Sequence, residues 1–323
     1  MTAPSAPLSV VRAAPERTEE AMGALLSAGP SAAARFVRQA ETSRIALDRI
    51  WCLAGPDGRY RSAVLAVAAR GRTVMLLATR ARDAAQAQAI APAIAAAAEG
   101  CADAGDIAQS LLEPERTHDA SAFTLAGFRA LATLEYQERA LPRLGAPEPS
   151  PVPEGWTIAP VAGDEELAGD DPRILSPAAR EELVRVLEST YRDTLDCPGL
   201  AGMRRTEDVL EGHFGTGRRR RFWLVARRDG VARAVCLLNG APDGASAELA
   251  YFGVAPEARG SGIAAAILAA GVRACATARV ASIQLAVDAR NAPAKRLYER
   301  HGFRTVSSRL ALVRAIGPGA RTP

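Results

Sequence analysis

Lysine is nearly missing from this chain. Of 40 basic residues only Lys295 is a lysine. Arginine in such excess, beside abundant alanine, points to a GC-rich bacterial coding bias. Arginine-rich patches therefore carry less functional weight than usual. The run Arg218–Arg221 leads into an apolar stretch and reads as a solvated turn, so a nucleic-acid partner is not expected. Paired cysteines are missing too. Five cysteines (Cys52, Cys101, Cys197, Cys236 and Cys275) include no CxxC and no Cys/His cluster. That argues against a structural metal and for free thiols in a reducing cytoplasm. No run of about 18 apolar residues exists, which argues against a membrane span. The first residues lack the basic-then-apolar layout of a signal peptide and read as a loose tail.

What is present is a soluble composition, 48% hydrophobic and 24% charged, over 323 residues, enough for two domains. The most informative stretch is Arg259-Gly260-Ser261-Gly262-Ile263-Ala264. It follows a strand-like run, Glu248–Val254, and opens a helix-like run from Gly262 to Ala276. A strand that turns through glycines into a helix start is an anion site, because unpaired backbone N–H groups and the helix dipole converge there. Side chains at the glycines would keep a pyrophosphate off the backbone. No lysine follows Gly262, which excludes a Walker loop. Ala265 stands where a dinucleotide fingerprint has its third glycine, which is tolerated in some such proteins.

A second segment restricts the choice. Asn291-x-x-Ala294-x-x-Leu297-Tyr298-x-x-x-Gly302-Phe303 lies at a fixed distance after Arg259-x-x-Gly262-x-Ala264. Together the two resemble the acyl-CoA motifs of the GNAT (GCN5-related) N-acetyltransferases. The resemblance implies an α/β (α+β) fold with a mostly antiparallel mixed sheet flanked by helices. It implies acetyl-CoA as co-substrate, no metal, and direct transfer to a primary amine in a ternary complex. The acceptor would be a small molecule or a peptide. Two alternatives stay open: a non-catalytic acyl-CoA-binding or scaffolding module, and a mycothiol-synthase-like small-molecule acetyltransferase, whose substrate no residue here specifies.

The resemblance also assigns residues. Backbone N–H groups between Arg259 and Ala264 (Gly260, Ser261, Gly262 and Ile263 among them) would take the pyrophosphate. Phe252, Gly253 and Val254 would pair with the pantetheine arm, on a strand that splays from its neighbour. Tyr298 would be the general acid toward the leaving thiolate, since a phenol and a thiol are of comparable weakness; otherwise it is a core residue of an amphipathic helix. Asn291 would bond the pantetheine, cap its helix, or both. Glu248 would be the base, or else a solvent-facing strand residue. Asp288 reads as a turn cap, and His213 and His301 are further possible bases. Acceptor recognition would fall to Tyr191, Asp193, Thr194, Asp196 and Cys197, where two acids could attract an ammonium group or merely cap turns.

The proline-rich segment 146–155 reads as a linker between residues 1–145 and 156–323. The first half repeats the order of elements without the motifs. Aligning Gly127-Phe128 with Gly302-Phe303 sets Phe123 against Tyr298 and Arg116 against Asn291, and the loop position reads Thr79-Arg80-Ala81-Arg82-Asp83 without glycine. The first half is therefore expected to be a degenerate copy with a structural role, or else an unrelated α/β domain. Further expectations are helices at 176–191 and 121–125, a helix from 206 to 213 capped by Thr206, and a hairpin across Arg228-Asp229-Gly230.

Overall fold

The structure, a computed structural model, describes residues 8–142, 145–161, 175–215, 222–241 and 244–317. The run Arg218–Arg221 lies outside them. In chain order the first half forms β1 (Ser9–Arg12), α1 (Thr18–Leu26), α2 (Pro30–Thr42), β2 (Ile50–Ala54), β3 (Tyr60–Ala69), β4 (Thr73–Ala78), α3 (Ala84–Glu99), β5 (Ile107–Leu112), α4 (Thr117–Leu125) and β6 (Arg129–Ala140). The second half adds β7 (Trp156–Pro160), α5 (Pro177–Tyr191), α6 (Thr206–Gly215), β8 (Trp223–Arg228), β9 (Val231–Gly240), β10 (Ser246–Val254), α7 (Ile263–Thr277), β11 (Ser282–Asp288), α8 (Ala292–Arg300) and β12 (Arg304–Ala315).

Local chemistry sets many boundaries. Ser176 caps α5 by accepting the Ala179 N–H, with Pro177 at the first helical position, where its missing N–H costs nothing. Asp229 (φ 52°) and Gly230 (φ 74°) give the β8–β9 hairpin the two left-handed residues a tight turn requires. Thr206 is the first residue of α6 rather than its cap, and that helix runs on to Gly215. Helix α4 begins at Thr117, one turn earlier than its apolar pattern predicts.

The chain divides into two compact units. One comprises residues up to Ala132, Gly202–Arg204 and the chain from Leu310; the other comprises Thr133–Ala201 and Arg205–Arg309. In the first unit β1, β2, β3 and β4 pair antiparallel in sequence order, and β4 pairs β5 in parallel. Residues Leu310–Ala315 of β12 then close it, antiparallel to β5. In the second unit β7, β8, β9 and β10 pair antiparallel, and β10 pairs β11 in parallel. Residues Leu134–Ala140 of β6 close it, antiparallel to β11. The same strand order thus occurs twice, and each unit takes its last strand from the other half of the sequence. The units therefore differ from the sequence halves 1–145 and 156–323.

Burial explains the exchange. Leu312 joins Phe123 and Phe128 in the first unit's core, while Leu141, just beyond β6, joins Trp156 and Ile283 in the second's. Within the second unit one sheet face (Leu224, Cys236, Leu249, Leu285) packs against Ile267 and Val272 of α7 and Leu297 of α8. The other face (Trp223, Val225, Val235, Leu237) packs against Leu183 and Leu187 of α5 and Leu210 and Phe214 of α6.

Candidate active site

The parallel pairing of β10 and β11 is short. It runs from Ser246↔Ser282 to Glu248↔Gln284, yet β10 continues to Val254 and β11 to Asp288. The strands part where β10 carries a bulge, a register shift between Leu249 and Tyr251 against β9. An extra residue bends a strand, and here it turns β10 away from β11 while β9 stays paired to its end. From Leu249 to Val254 one backbone edge of β10 has no β11 partner. Gly253 sits on this edge for a packing reason: a Cβ there would lie 2.7 Å from Thr190 Cβ and 2.8 Å from the Tyr251 hydroxyl, too close for any side chain.

The free edge ends on the glycine loop. A 3-10 turn at Pro256–Ala258 leads through Arg259 to Gly260 (φ 80°) and Gly262 (φ 86°), the residue before α7. Such φ values favour glycine. A Cβ on Gly260 would meet nothing within 4 Å, and one on Gly262 only Pro153 Cγ at 3.6 Å, so open space lies over the loop. Among the described residues the N–H groups of Gly260, Gly262 and Ala264 have no acceptor, and that of Ile263 has only Ser261 Oγ at 3.4 Å. No acidic residue occupies the first turn of α7, so nothing opposes its dipole. Arg259 is used differently. Its guanidinium donates to Val254 O (3.2 Å), Asp193 O (3.1 Å) and Arg192 O (2.8 Å), stapling the loop to the segment that follows α5.

Helix α8 faces this cleft. Tyr298 is buried, edge-on to Phe252 (6.1 Å) and Phe303 (5.8 Å), and its hydroxyl has no hydrogen-bond partner among the described residues. Burial, aided by the nearby Asp196 charge, pushes the phenol well above its ordinary pKa. Asn291 caps α8, its Oδ1 accepting the Ala294 N–H at 3.3 Å. His301 bonds back to the Leu297 carbonyl through Nδ1 at 2.8 Å, a helix-end role.

The segment after α5 docks on the end of β11. Asp196 Oδ1 accepts the Asp288 N–H (2.9 Å), and Asp288 Oδ2 accepts the Cys197 N–H (3.3 Å). Asp288 is fully buried and also pairs with Arg290 (2.8 Å); burial works against its charge, but this pairing and the N–H donors hold the carboxyl below its ordinary range. Thr194 Oγ1 accepts the Asp196 N–H, and Tyr191 lies edge-on to Tyr251 at 5.7 Å. Glu248 stands apart, on the last parallel rung between Asn239 and Gln284. The residue is exposed, but its neighbours desolvate the carboxyl enough to raise its pKa.

The fold thus sets Phe252 against Tyr298 and docks Asp196 on the end of β11, while Asn291 serves as a cap and Thr194 as a loop brace. Sequence reasoning missed Thr190 and Tyr251, whose hydroxyls meet at 2.8 Å beside Gly253. Tyr251 lay in the motif strand, but nothing in the pattern showed which residue of α5 would reach it.

The first unit has the same splay without the same site. There β4 and β5 pair in parallel only from Thr73↔Ile107 to Met75↔Gln109. Its loop N–H at Ala81 is taken by the buried Asp119 carboxylate (2.6 Å), which also pairs with Arg116 (2.5 Å). Phe123 packs edge-on to Phe128 at 5.1 Å, much as Tyr298 packs on Phe303, without a hydroxyl.

Residues 187–303 match the model of the acetyltransferase (GNAT) family. Among solved structures, a GCN5-related N-acetyltransferase from Sphaerobacter thermophilus is similar over 98% of both chains, with a TM-score of 0.60 and 18% identity. A GCN5-related glucosamine N-acetyltransferase region of a fungal multi-domain β-N-acetylglucosaminidase is similar over 96% of this chain and 38% of that one (TM-score 0.55, 14% identity). At such identities the likeness is one of fold. Comparison with curated proteins finds no match. Among the described residues no helix is long and apolar enough to cross a membrane, and no group of three His, Cys, Asp or Glu side chains could hold a metal ion.

Proposed function

We propose that the second unit is an acetyl-CoA-dependent N-acyltransferase acting on a primary amine of a small molecule or peptide, by direct transfer within a ternary complex. The observation that carries this reading is the junction of an unpaired strand edge with a loop of three free backbone amides. An edge of that kind suits the amides of a pantetheine arm, and the loop suits a pyrophosphate. A backbone N–H near Phe252–Val254 would polarise the thioester carbonyl.

Tyr298 would supply the proton to the departing thiolate. Burial holds the proton on the phenol until a strong base appears, and the same burial makes the thiolate a stronger base. The amine must lose a proton first, to a carboxylate of the site, directly or through water. Free thiols in the chain fit a reducing compartment such as the cytoplasm. The first unit would be a degenerate copy with a structural role, its loop amide occupied by Asp119 rather than by a ligand.

Acetyl-CoA should raise the melting temperature, and a screen of amines with a thiol readout should find turnover. Tyr298→Phe should lower kcat about 100-fold while leaving stability nearly unchanged, because the hydroxyl has no partner to lose. No stabilisation by any acyl-CoA would refute the reading.

A further inference from the structure

The docked segment after α5 puts a second carboxylate in the cleft, and its surroundings differ from those of Glu248. The α5 helix ends at Tyr191, and the chain then passes Asp193 (φ 51°) and Cys197 (φ 46°). Left-handed conformations at two non-glycine residues persist only where the surroundings fix them. Here they are fixed at both ends. Arg259 grips the carbonyls of Arg192 and Asp193, and the end of β11 exchanges hydrogen bonds with Asp196 and Cys197. The segment is therefore tied to both arms of the splay, the glycine-loop arm and the β11 arm.

This anchoring commits one carboxylate oxygen of Asp196, Oδ1, to the Asp288 N–H. Among the described residues Oδ2 has no hydrogen-bond donor. The charge of Asp196 acts on Tyr298 from α8 and on Tyr251 from β10, so it lies within electrostatic reach of both phenols. The remaining titratable neighbours are Asp288, neutralised by Arg290, and Cys197. No cation pairs with Asp196 itself among the described residues. The residue is exposed as a whole, but its carboxyl end is desolvated, which raises its pKa, and the Asp288 charge adds to that. A carboxylate docked at the β11 arm of the splay, with one oxygen uncommitted among the described residues, has the features of an ammonium site.

We propose that Asp196 binds the acceptor's primary ammonium group beside Tyr298 and takes its first proton. The proposal rests on the acyltransferase reading and assigns the amine-side group within it. The ammonium gives one N–H proton to the Asp196 carboxylate, and from there it passes to solvent. The freed lone pair forms the C–N bond to the thioester carbon as the C–S bond breaks. The thiolate takes the Tyr298 proton, and a second proton from the nitrogen restores the phenol, leaving one hydrogen on the amide. Charge and protons balance: ammonium and acetyl thioester give amide, thiol and one released proton.

The test uses the full chain, acetyl-CoA, and a panel of primary amines (n-propylamine, ethanolamine, glucosamine and a lysine-containing peptide), with thiol release also followed in amine-free buffer. Asp196→Asn keeps an acceptor oxygen for the Asp288 N–H, so the segment should stay docked and the melting temperature should hold. The expected result is at least a 100-fold loss of kcat/KM for the amine with the KM for acetyl-CoA within twofold. The acidic limb of the wild-type pH profile, expected above the ordinary carboxylate range of about 4, should vanish. Asp196→Glu keeps the charge and should retain that limb, which serves if the Asn variant folds poorly. Asp196→Asn within threefold of wild type, with the limb unchanged, overturns the proposal. So does a wild-type protein that is stabilised by acetyl-CoA yet transfers to no amine and to no water. Absence of acetyl-CoA stabilisation is a different failure, and removes the acyltransferase reading itself.

Discussion

Gly262→Ala separates the two reasons a glycine can stand at the start of α7. The residue sits at φ 86°, and a methyl there would meet only Pro153 Cγ at 3.6 Å. Packing therefore sets no penalty, and the backbone sets one of about 1–2 kcal/mol for a left-handed L-residue. In a unit of this size that lowers the melting temperature by roughly 2–8 °C. The methyl also enters the space over the free amides of Gly260, Gly262 and Ala264. Losing one charge-assisted hydrogen bond there, about 1.5–3 kcal/mol, would weaken acetyl-CoA binding roughly 10- to 100-fold. At a concentration one hundred times the wild-type Kd, ligand stabilisation is about 2.7 kcal/mol, and a 100-fold weaker site would keep only about 0.4 kcal/mol. Gly230→Ala is the matched control. That residue has φ 74° with nothing within 4 Å, but it lies in the β8–β9 turn. Thermal melts with and without acetyl-CoA should show similar losses of intrinsic stability in both variants and a loss of ligand stabilisation only in Gly262→Ala. Equal ligand stabilisation in the two would refute the assignment of the loop as the pyrophosphate site.

Two other outcomes follow from the geometry. Asp119→Ala should destabilise the first unit by roughly 3 kcal/mol, since it strands the Ala81 N–H and the Arg116 guanidinium together; denaturant unfolding would measure this, and a loss below about 1 kcal/mol would contradict it. Burial pushes the Cys197 thiol up to about 12, with Asp196 and Asp288 adding to the effect. Its thiolate fraction at pH 7.5 should therefore lie roughly three orders of magnitude below that of an ordinary cysteine, so native alkylation at Cys197, read by mass spectrometry, should be slow and should accelerate on unfolding.

Local patterns carried far into the fold. The Asp229-Gly230 hairpin and the helix start at Ser176-Pro177 both appear, because each depends on the conformational preference of one or two residues. The glycine loop was legible for the same reason. Helix ends without a strong cap were less so, as the start of α4 and the end of α6 show. Arg259 illustrates the limit within the site. Its place in the motif was plain, but two of its three carbonyl partners lie 66 and 67 residues away, and no local pattern encodes them.

The sequence by itself determined that the chain repeats one order of elements, that only the second copy has a glycine loop, and that Tyr298 has a phenylalanine counterpart. These are matters of residue type at fixed spacing, and covalent order preserves them. Only the tertiary structure decided that each unit closes with a strand from the other half, and that Asp119 occupies the loop amide of the first copy. It also docked Asp196 on the end of β11, through the Asp288 N–H. Those outcomes depend on which apolar faces bury one another and on hydrogen bonds between distant backbone groups, and such long-range pairings leave no periodic trace along the chain.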